Sequence, residues 1–172
     1  MIPKFHEITA DKFGRYEKQI LRSEEIFPEQ IRTSREDYMG ILMSENSIAL
    51  VATIDSKYIG NIIGCPITEE DMAEYEIDFG IDREKILYVY NIVIDNAFQG
   101  RGYGHEMMKE FIRIAKMRGY EVLAGHFRKY RSESLIRKFG AVAKKTYANW
   151  DNSGEEYILC VLDLRNVKDL RD

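Results

Sequence analysis

The stretch from Ile86 to Gly119 constrains the fold more than any other part of the chain. Ile86 to Ile94 is dense in Ile, Val, Leu and Tyr without Gly or Pro, which predicts a largely buried strand. From Gly104 onward, apolar residues recur at spacings of three and four while charged residues take the opposite face. This period predicts an amphipathic helix of about three turns. The chain therefore contains a strand, a glycine-rich loop and a helix in direct succession.

The loop between them, from Gln99 to Gly104, has three glycines in five positions. Glycine tolerates positive φ, so several backbone N–H groups can converge on one bound group. The loop also leads into a helix N-terminus, where unpaired N–H groups and the helix dipole favour an anion. These residues predict a phosphate or pyrophosphate cradle.

The residues of the loop alone allow three other interpretations. A P-loop requires a Lys followed by Ser or Thr, whereas Gly104 is followed by His105 and Glu106. A dinucleotide-binding fold requires GxGxxG and further βαβ units, which fit poorly here. The third interpretation is a purely structural turn, which the loop composition alone leaves open.

The pattern Gln-x-x-Gly-x-Gly at Gln99, Gly102 and Gly104 resembles the coenzyme A signature of the GNAT acetyltransferase superfamily. A strand predicted at Val122 to Phe127 and a short helix at Ser132 to Phe139 agree with the same family. The resemblance implies an α/β (α+β) fold with a mixed, mainly antiparallel sheet flanked by helices. We expect one domain over residues 1–172, a length that can bury a core without disulfides.

The rest of the chain supplies elements in an order that fits this fold. Apolar alternation predicts strands, spacings of three and four predict helices, and Ser34 with Asp37 predicts a capped helix start. The predicted elements are a strand at Phe5 to Thr9, a helix from Asp11 ended by Pro28, a helix from Ser34 to Met43, strands at Ser47 to Ile54 and Tyr58 to Cys65, and an antiparallel pair at Ala141 to Tyr147 and Glu155 to Asp163.

Composition limits the function classes. A net charge of −4 argues against general nucleic-acid binding. No apolar run approaches a membrane span and the N-terminus lacks a signal-peptide core, so we expect a cytoplasmic protein with no membrane contact. Cys65 and Cys160 are expected to be buried thiols, and no metal-binding cluster of Cys and His is expected. An exposed strand edge near Glu155 to Asp163 suggests a homodimer.

The resemblance also implies acetyl-CoA as co-substrate and a set of residues that bind it. The loop is expected to bind the pyrophosphate through backbone N–H groups, and the end of the preceding strand to pair with the pantetheine arm. One N–H group of that strand is expected to polarise the thioester carbonyl. The expected cofactor-binding residues are Ile92, Val93, Ile94, Gln99, Gly100, Arg101, Gly102, Tyr103, Gly104, His105 and Ser132.

The general base is less well defined by the resemblance. The family often places a Glu on the central strand, and by offset from the loop that position holds Tyr88, with Tyr90 on the same face. A tyrosine with an ordinary pKa near 10 is a poor base at neutral pH, so we expect a water chain that ends at a tyrosine or carboxylate. Aromatic packing across the sheet is the alternative role of both tyrosines. Trp150 either lines an acceptor pocket or covers the core.

The general acid departs from the family pattern. The family ends its short helix in Leu-Tyr-x-x-x-Gly, and the tyrosine protonates the leaving thiolate, but here Ile136 replaces it. Lys129 likewise replaces the usual Asn seven residues earlier. Substitute donors are Tyr130, Ser132 and Ser134, or water. His126, at the end of its strand, is a further candidate acid or base.

Together these features predict an N-acetyltransferase that moves an acetyl group from acetyl-CoA to a primary amine of a small molecule or peptide. Direct attack in a ternary complex is expected, because no Cys or Ser nucleophile with a base is evident. The acidic residues between positions 69 and 84 either face solvent or steer a cationic amine. The alternatives are a non-catalytic acyl-CoA sensor or partner module of the same fold, and another CoA ester or nucleotide as ligand.

Overall fold

The computed structural model describes residues 1–168 and 170. The last part of the expected 1–172 domain, residues 169, 171 and 172, lies outside the described residues. The strands are β1 (Lys4–Glu7), β2 (Ile48–Ile54), β3 (Lys57–Pro66), β4 (Ile86–Ile94), β5 (Val122–Arg128), β6 (Val142–Tyr147) and β7 (Tyr157–Asp163). The α-helices are α1 (Glu17–Ser23), α2 (Arg35–Met43), α3 (Glu69–Glu74), α4 (Tyr103–Met117) and α5 (Ser132–Arg137).

The strands form a seven-stranded sheet in the order β1-β2-β3-β4-β5-β7-β6. The pairs β1–β2, β2–β3, β3–β4, β5–β7 and β6–β7 are antiparallel, whereas β4 and β5 pair in parallel. Helix α4 connects these two parallel strands, because parallel neighbours require a crossover. The expected mixed and mainly antiparallel sheet with flanking helices is confirmed.

The core lies on both faces of the sheet. Strand β2 is buried along its whole length, and its alternate residues serve different layers. Ile48 and Leu50 join the cluster that contains Met107 and Phe111 of α4. Ala49 and Val51 join the cluster formed with Phe13 and Tyr38 near α1 and α2. Both faces of the central strands are therefore covered, which explains their continuous apolar sequences.

The sequence predicted most elements to within a few residues. Strand β4 has the predicted bounds, and the amphipathic period places α4 correctly. The capping box of α2 is present, since the Ser34 side chain accepts from the N–H of Asp37 and the Asp37 side chain accepts from the N–H of Ser34. The helix predicted from Asp11 is instead divided into a 3-10 segment, Ala10–Arg15, and then α1.

One prediction about the sheet edge is wrong. The segment from Glu155 to Asp163 is not an edge, because β7 lies between β5 and β6 and pairs with both. Strand β6 forms the edge on that side, with β1 at the other end. Cys65 and Cys160 are free and buried, as predicted. Within residues 1–168 and 170, no helix is long and apolar enough to cross a membrane.

Candidate active site

Strands β4 and β5 part before either of them ends. Their pairing runs only from Ile86–Val122 to Val89–Gly125, although both strands continue. At the same place the register between β3 and β4 shifts, so that Ile63 lies opposite Asn91 and Gly64 opposite Val89. Tyr90 is the extra residue of this bulge, which bends a strand locally. The parting leaves one edge of β4 from 91 to 94 facing an opening in the sheet.

Two adjoining cavities occupy this opening. The loop cavity, with a volume of about 450 Å³, lies between the end of β4, the glycine loop and α5. The aromatic cavity, with a volume of about 200 Å³, lies nearer the paired part of the strands. Phe27, Ile92 and Ser132 line both cavities, so they mark the junction between them. A molecule bound in one cavity can therefore reach a molecule bound in the other.

The loop cavity collects the expected cofactor-binding residues with one exception. All of them except Arg101 line its wall, and Arg101 instead lies over the ring of Phe98 at 5.8 Å from guanidinium carbon to ring centroid. Gln99 braces the loop, because its Nε2 donates to the carbonyl oxygen of Ile94 at 2.9 Å and to Oδ1 of Asn96 at 3.0 Å. Its side chain thus holds the loop against the end of β4.

The loop glycines are required for two different reasons. Gly100 and Gly102 have left-handed φ values of 73° and 83°, and a Cβ at either position would meet nothing within 4 Å. A Cβ on Gly104 would instead lie 2.8 Å from Cδ1 of Leu135, so this glycine permits α4 and α5 to pack closely. The first two glycines keep the wall of the loop cavity as bare backbone at the N-terminus of α4.

The charge and the aromatic residues around the loop cavity suit a large phosphorylated ligand. Arg131 and Lys138 line it and form no ion pair among the described residues. His105, in the first turn of α4, stacks on Phe139 with ring centroids 4.7 Å apart, and its Nδ1 is buried without a hydrogen-bond partner among the residues described. Cations and unpaired N–H groups at a helix N-terminus favour phosphate.

The aromatic cavity is built around His126 on β5. Nδ1 of His126 lies 2.5 Å from the hydroxyl of Tyr88 on β4. The imidazole ring packs among Tyr75, Tyr147 and Trp150, with centroid distances of 4.4, 4.7 and 4.1 Å. Nε2 of His126 is buried and has no partner in the part of the chain that the structure describes.

This environment keeps both members of the pair uncharged at neutral pH. Burial, with a contribution from the charge of Lys145, lowers the pKa of His126 to about 3. Burial and the neighbouring Tyr75 raise the pKa of Tyr88 well above its ordinary value. A neutral imidazole can accept a hydrogen bond at Nε2 when its Nδ1–H donates to Tyr88, whereas its lowered pKa makes it a weak base.

The structure brings two of the three predicted catalytic tyrosines together. Tyr88 and Tyr90 both line the aromatic cavity, with ring centroids 4.7 Å apart. The Tyr90 hydroxyl donates to Oδ2 of Asp71 at 2.5 Å, which links α3 to the bulge. Tyr130 lies elsewhere, because it is 81% exposed and lines the loop cavity only.

Among the candidate acids, Ser132 has the best position. It lines both cavities, and its Oγ accepts from the N–H of Arg128 at 3.0 Å, which leaves the hydroxyl proton free to donate. Ser134 lines only the loop cavity and donates to the carbonyl oxygen of Arg131 at 2.7 Å. Ile136 is fully buried in the core.

A buried carboxylate supports the wall of the aromatic cavity. Glu24, only 2% exposed, accepts hydrogen bonds from the Tyr38 hydroxyl at 2.6 Å, from the N–H of Thr33 at 2.9 Å and from Nδ2 of Asn91. Burial raises the pKa of Glu24, and these donors oppose the rise. Thr33 and Asn91 line the cavity, so Glu24 connects the segment after α1 to the central strand.

Several of these residues were missed by sequence reasoning. Glu24 and Asn91 lie far apart in the chain, and nothing local predicts their contact. Tyr75 follows α3 in a segment whose acidic residues dominate its pattern. Trp150, in the loop after the sixth predicted strand, was the one local signal, and it packs on His126 together with Tyr147, the last residue of that strand. No group of three or more His, Cys, Asp or Glu suited to a metal ion occurs among the described residues.

Solved structures with this fold include several acetyltransferases. The ribosomal-protein-S18-alanine N-acetyltransferase from Escherichia coli is 15% identical, with 95% of this chain and 94% of that chain covered and a TM-score of 0.70. NAA60 from Arabidopsis thaliana, solved with acetyl-CoA, is 14% identical, with 96% and 100% covered and a TM-score of 0.69. An agmatine N-acetyltransferase mutant is 14% identical, with 94% and 100% covered and a TM-score of 0.72. At such identities the likeness shows the fold.

The chain matches a protein-family model but no curated protein sequence. No curated protein sequence matches the chain significantly. A family model described as Acetyltransferase (GNAT) family matches residues 7–141, which run from the last residue of β1 to just beyond α5 and include the glycine loop, Tyr88 and His126. Because this match covers most of the chain and both cavities lie largely within it, the chain belongs to the GNAT family of acetyltransferases.

Proposed function

We propose that the protein transfers an acetyl group from acetyl-CoA to a primary amine by direct attack in a ternary complex. The observation that carries the proposal is the parting of β4 and β5, which joins the loop cavity to the aromatic cavity at Ser132. One cavity offers phosphate-binding groups, and the other offers a neutral imidazole and hydroxyl groups. Proximity of two bound reactants is itself a large part of catalysis.

In this proposal the loop cavity binds acetyl-CoA. The backbone at Gly100 and Gly102 and the first turn of α4 bind the pyrophosphate, and Arg131 and Lys138 add positive charge. The free edge of β4 from 91 to 94 pairs with the pantetheine arm, and one of its N–H groups polarises the thioester carbonyl. The acetyl group then lies at the junction of the cavities.

The acceptor amine binds in the aromatic cavity and must lose a proton to become nucleophilic. The proton leaves through a water chain that ends at the Tyr90 hydroxyl and the Asp71 carboxylate to which it donates, because the lowered pKa of His126 makes its imidazole too weak a base. The nitrogen lone pair then attacks the carbonyl carbon, a C–N bond forms, and the C–S bond breaks as the tetrahedral intermediate collapses. The departing thiolate takes the hydroxyl proton of Ser132, and the Oγ is reprotonated by the second proton that the acylated nitrogen releases, directly or through water.

We also propose a domain organisation and a cellular location for this activity. We propose a single domain over residues 1–172, because the described core clusters all pack on one sheet. We propose a cytoplasmic location, where acetyl-CoA is present. Dimer formation stays a prediction from the sequence, and on that side of the sheet it would use the edge of β6.

The proposal is tested by release of free thiol from acetyl-CoA with a panel of amines and peptides. Gly102→Glu is the binding-deficient control, because it adds a negative charge and strains a left-handed residue in the wall of the loop cavity. Amine-dependent thiol release that Gly102→Glu abolishes supports the transferase. Calorimetric binding of acetyl-CoA without turnover on any amine would support the sensor instead, and absence of binding would refute both.

A further inference from the structure

Asp151 stands between the aromatic cavity and a third cavity. The third cavity, which we call the α2 cavity, has a volume of about 640 Å³ and lies beside the start of α2. The two cavities share four lining residues and therefore form one continuous space; the shared residues are Ile31, Thr33, Tyr90 and Asp151. The Asp151 carboxylate makes no hydrogen bond or ion pair with any described residue.

The charge of this space favours a cation. Glu36 and Asp37 line the α2 cavity together with Asp151, and Arg32 is the cationic side chain in its wall. Arg32 is partly engaged, since its Nε donates to the carbonyl oxygen of Phe27 at 2.8 Å. Trp150 and Tyr75, whose ring centroids are 5.6 Å apart, line the aromatic cavity beside Asp151.

Asn91 gives a second and independent sign that a ligand with N–H groups binds here. It is 7% exposed and lines the aromatic cavity. Its Nδ2 donates to Glu24, Thr33 and Tyr38, whereas its Oδ1 has no partner among the described residues. A buried carbonyl oxygen without a donor is costly, and an N–H group of the ligand would satisfy it.

The size and cover of the aromatic cavity limit the length of the ligand. Its volume of about 200 Å³ is less than half that of the loop cavity, which is about 450 Å³. The 3-10 turn Glu29–Ile31 contacts the turn Trp150–Asn152, so two segments meet beside the cavity. A ligand longer than the aromatic cavity would therefore extend into the α2 cavity, on the side of Asp151.

We infer that the acceptor is a short aliphatic amine with a second positive charge, and that Asp151 is the residue that selects this charge. The inference rests on the proposed transferase function. The reacting amine lies near Asn91 and His126, while the second cationic group lies beside the Asp151 carboxylate.

The test compares acceptors that differ in one group. Initial rates are measured with a short aliphatic diamine, with the monoamine of the same number of heavy atoms, and with an uncharged peptide that has a free N-terminus. The wild type is expected to show a kcat/KM for the diamine about tenfold above that for the monoamine, as a charge-assisted contact supplies. Asp151→Asn should bring this ratio close to one.

Asp55→Asn is the matched control. Asp55 has the same left-handed backbone, with φ of 47° against 46° for Asp151, and asparagine tolerates this conformation at both sites. Asp55 lies in the turn between β2 and β3 and lines none of the three cavities, so its variant should keep the diamine preference.

Four results would overturn the inference. Equal rates with diamine and monoamine, survival of the preference in Asp151→Asn, or the uncharged peptide as best acceptor would each exclude a dication selected by Asp151. In these three cases acetyl transfer still occurs and the proposed function stands. Absence of thiol release with every acceptor would overturn both proposals together.

Discussion

The buried carboxylate of Glu24 offers a sharp test of how the acceptor side of the site is supported. Three donors point at this side chain, namely the Tyr38 hydroxyl, the N–H of Thr33 and Nδ2 of Asn91. The change Glu24→Gln keeps the volume and removes one acceptor oxygen. Because the new amide nitrogen is itself a donor, at least one of the three donors loses its acceptor.

The magnitude follows from the bond that is lost. A hydrogen bond to a charged group contributes about 1.5–3 kcal/mol, and Glu24 is only 2% exposed, so water cannot replace it. For a protein of this size, 1 kcal/mol shifts the melting temperature by about 2–4 °C. We therefore expect Glu24→Gln to lower the melting temperature by about 3–12 °C.

Thermal unfolding followed by circular dichroism measures this shift, and Glu25→Gln is the control. Glu25 is the next residue and is exposed, so the same chemical change there should alter stability by less than about 0.5 kcal/mol. A second readout is KM for the amine, which should rise because Thr33 and Asn91 line the aromatic cavity. Equal melting temperatures for the two variants would refute the reasoning.

Three further predictions concern other parts of the site. Burial lowers the pKa of His126 from 6.5 to about 3, so between these two pH values the unfolded chain binds more protons than the folded chain. The contribution of the neutral His126 to the free energy of unfolding is therefore complete above about pH 6.5. It is lost as pH falls towards 3, by up to about 1.4 kcal/mol per pH unit. Urea unfolding at about pH 7, 6 and 5 should show a shallower decline for His126→Asn, and equal slopes would contradict this. Ser132→Ala should lower kcat at least about tenfold with little change in KM for acetyl-CoA, and an unchanged kcat in steady-state assays would exclude Ser132 as the acid. Gly60→Ala places a Cβ against the carbonyl oxygen of Val93 and should lower the free energy of unfolding in urea by about 1–3 kcal/mol. Gly14→Ala is the control and should be tolerated, because a Cβ there meets nothing within 4 Å. Equal stabilities of the two variants would argue against a rigid β3–β4 pair.

The parts of the fold that the sequence predicted are those fixed by local physics. The period of apolar residues determines α4, the run from Ile86 to Ile94 determines β4, and the pair Ser34 and Asp37 determines the start of α2. The glycine loop was predictable because glycine is the residue that most readily adopts the left-handed backbone found at Gly100 and Gly102. These features depend on neighbours in the chain.

The parts that it did not predict depend on contacts between distant segments. The bulge at Tyr90 arises from the register between β3 and β4, which no residue of β4 specifies alone. Glu24 follows Ser23 and precedes Glu25, a polar run that is typical of an exposed helix end, yet tertiary packing buries it. Ser132 was predicted to bind the cofactor, but its place at the junction of two cavities depends on how far β4 and β5 diverge.

The short pairing between β4 and β5 has a mechanical consequence. Strands β1 to β4 and strands β5 to β7 form two half-sheets, and the backbone ladder that joins them contains four residue pairs. A pantetheine chain that pairs with the free edge of β4 would act as a removable strand and fasten the halves together. Co-substrate binding should then slow amide hydrogen exchange in both half-sheets, beyond the residues that it touches, so that cohesion of the sheet itself reports on occupancy.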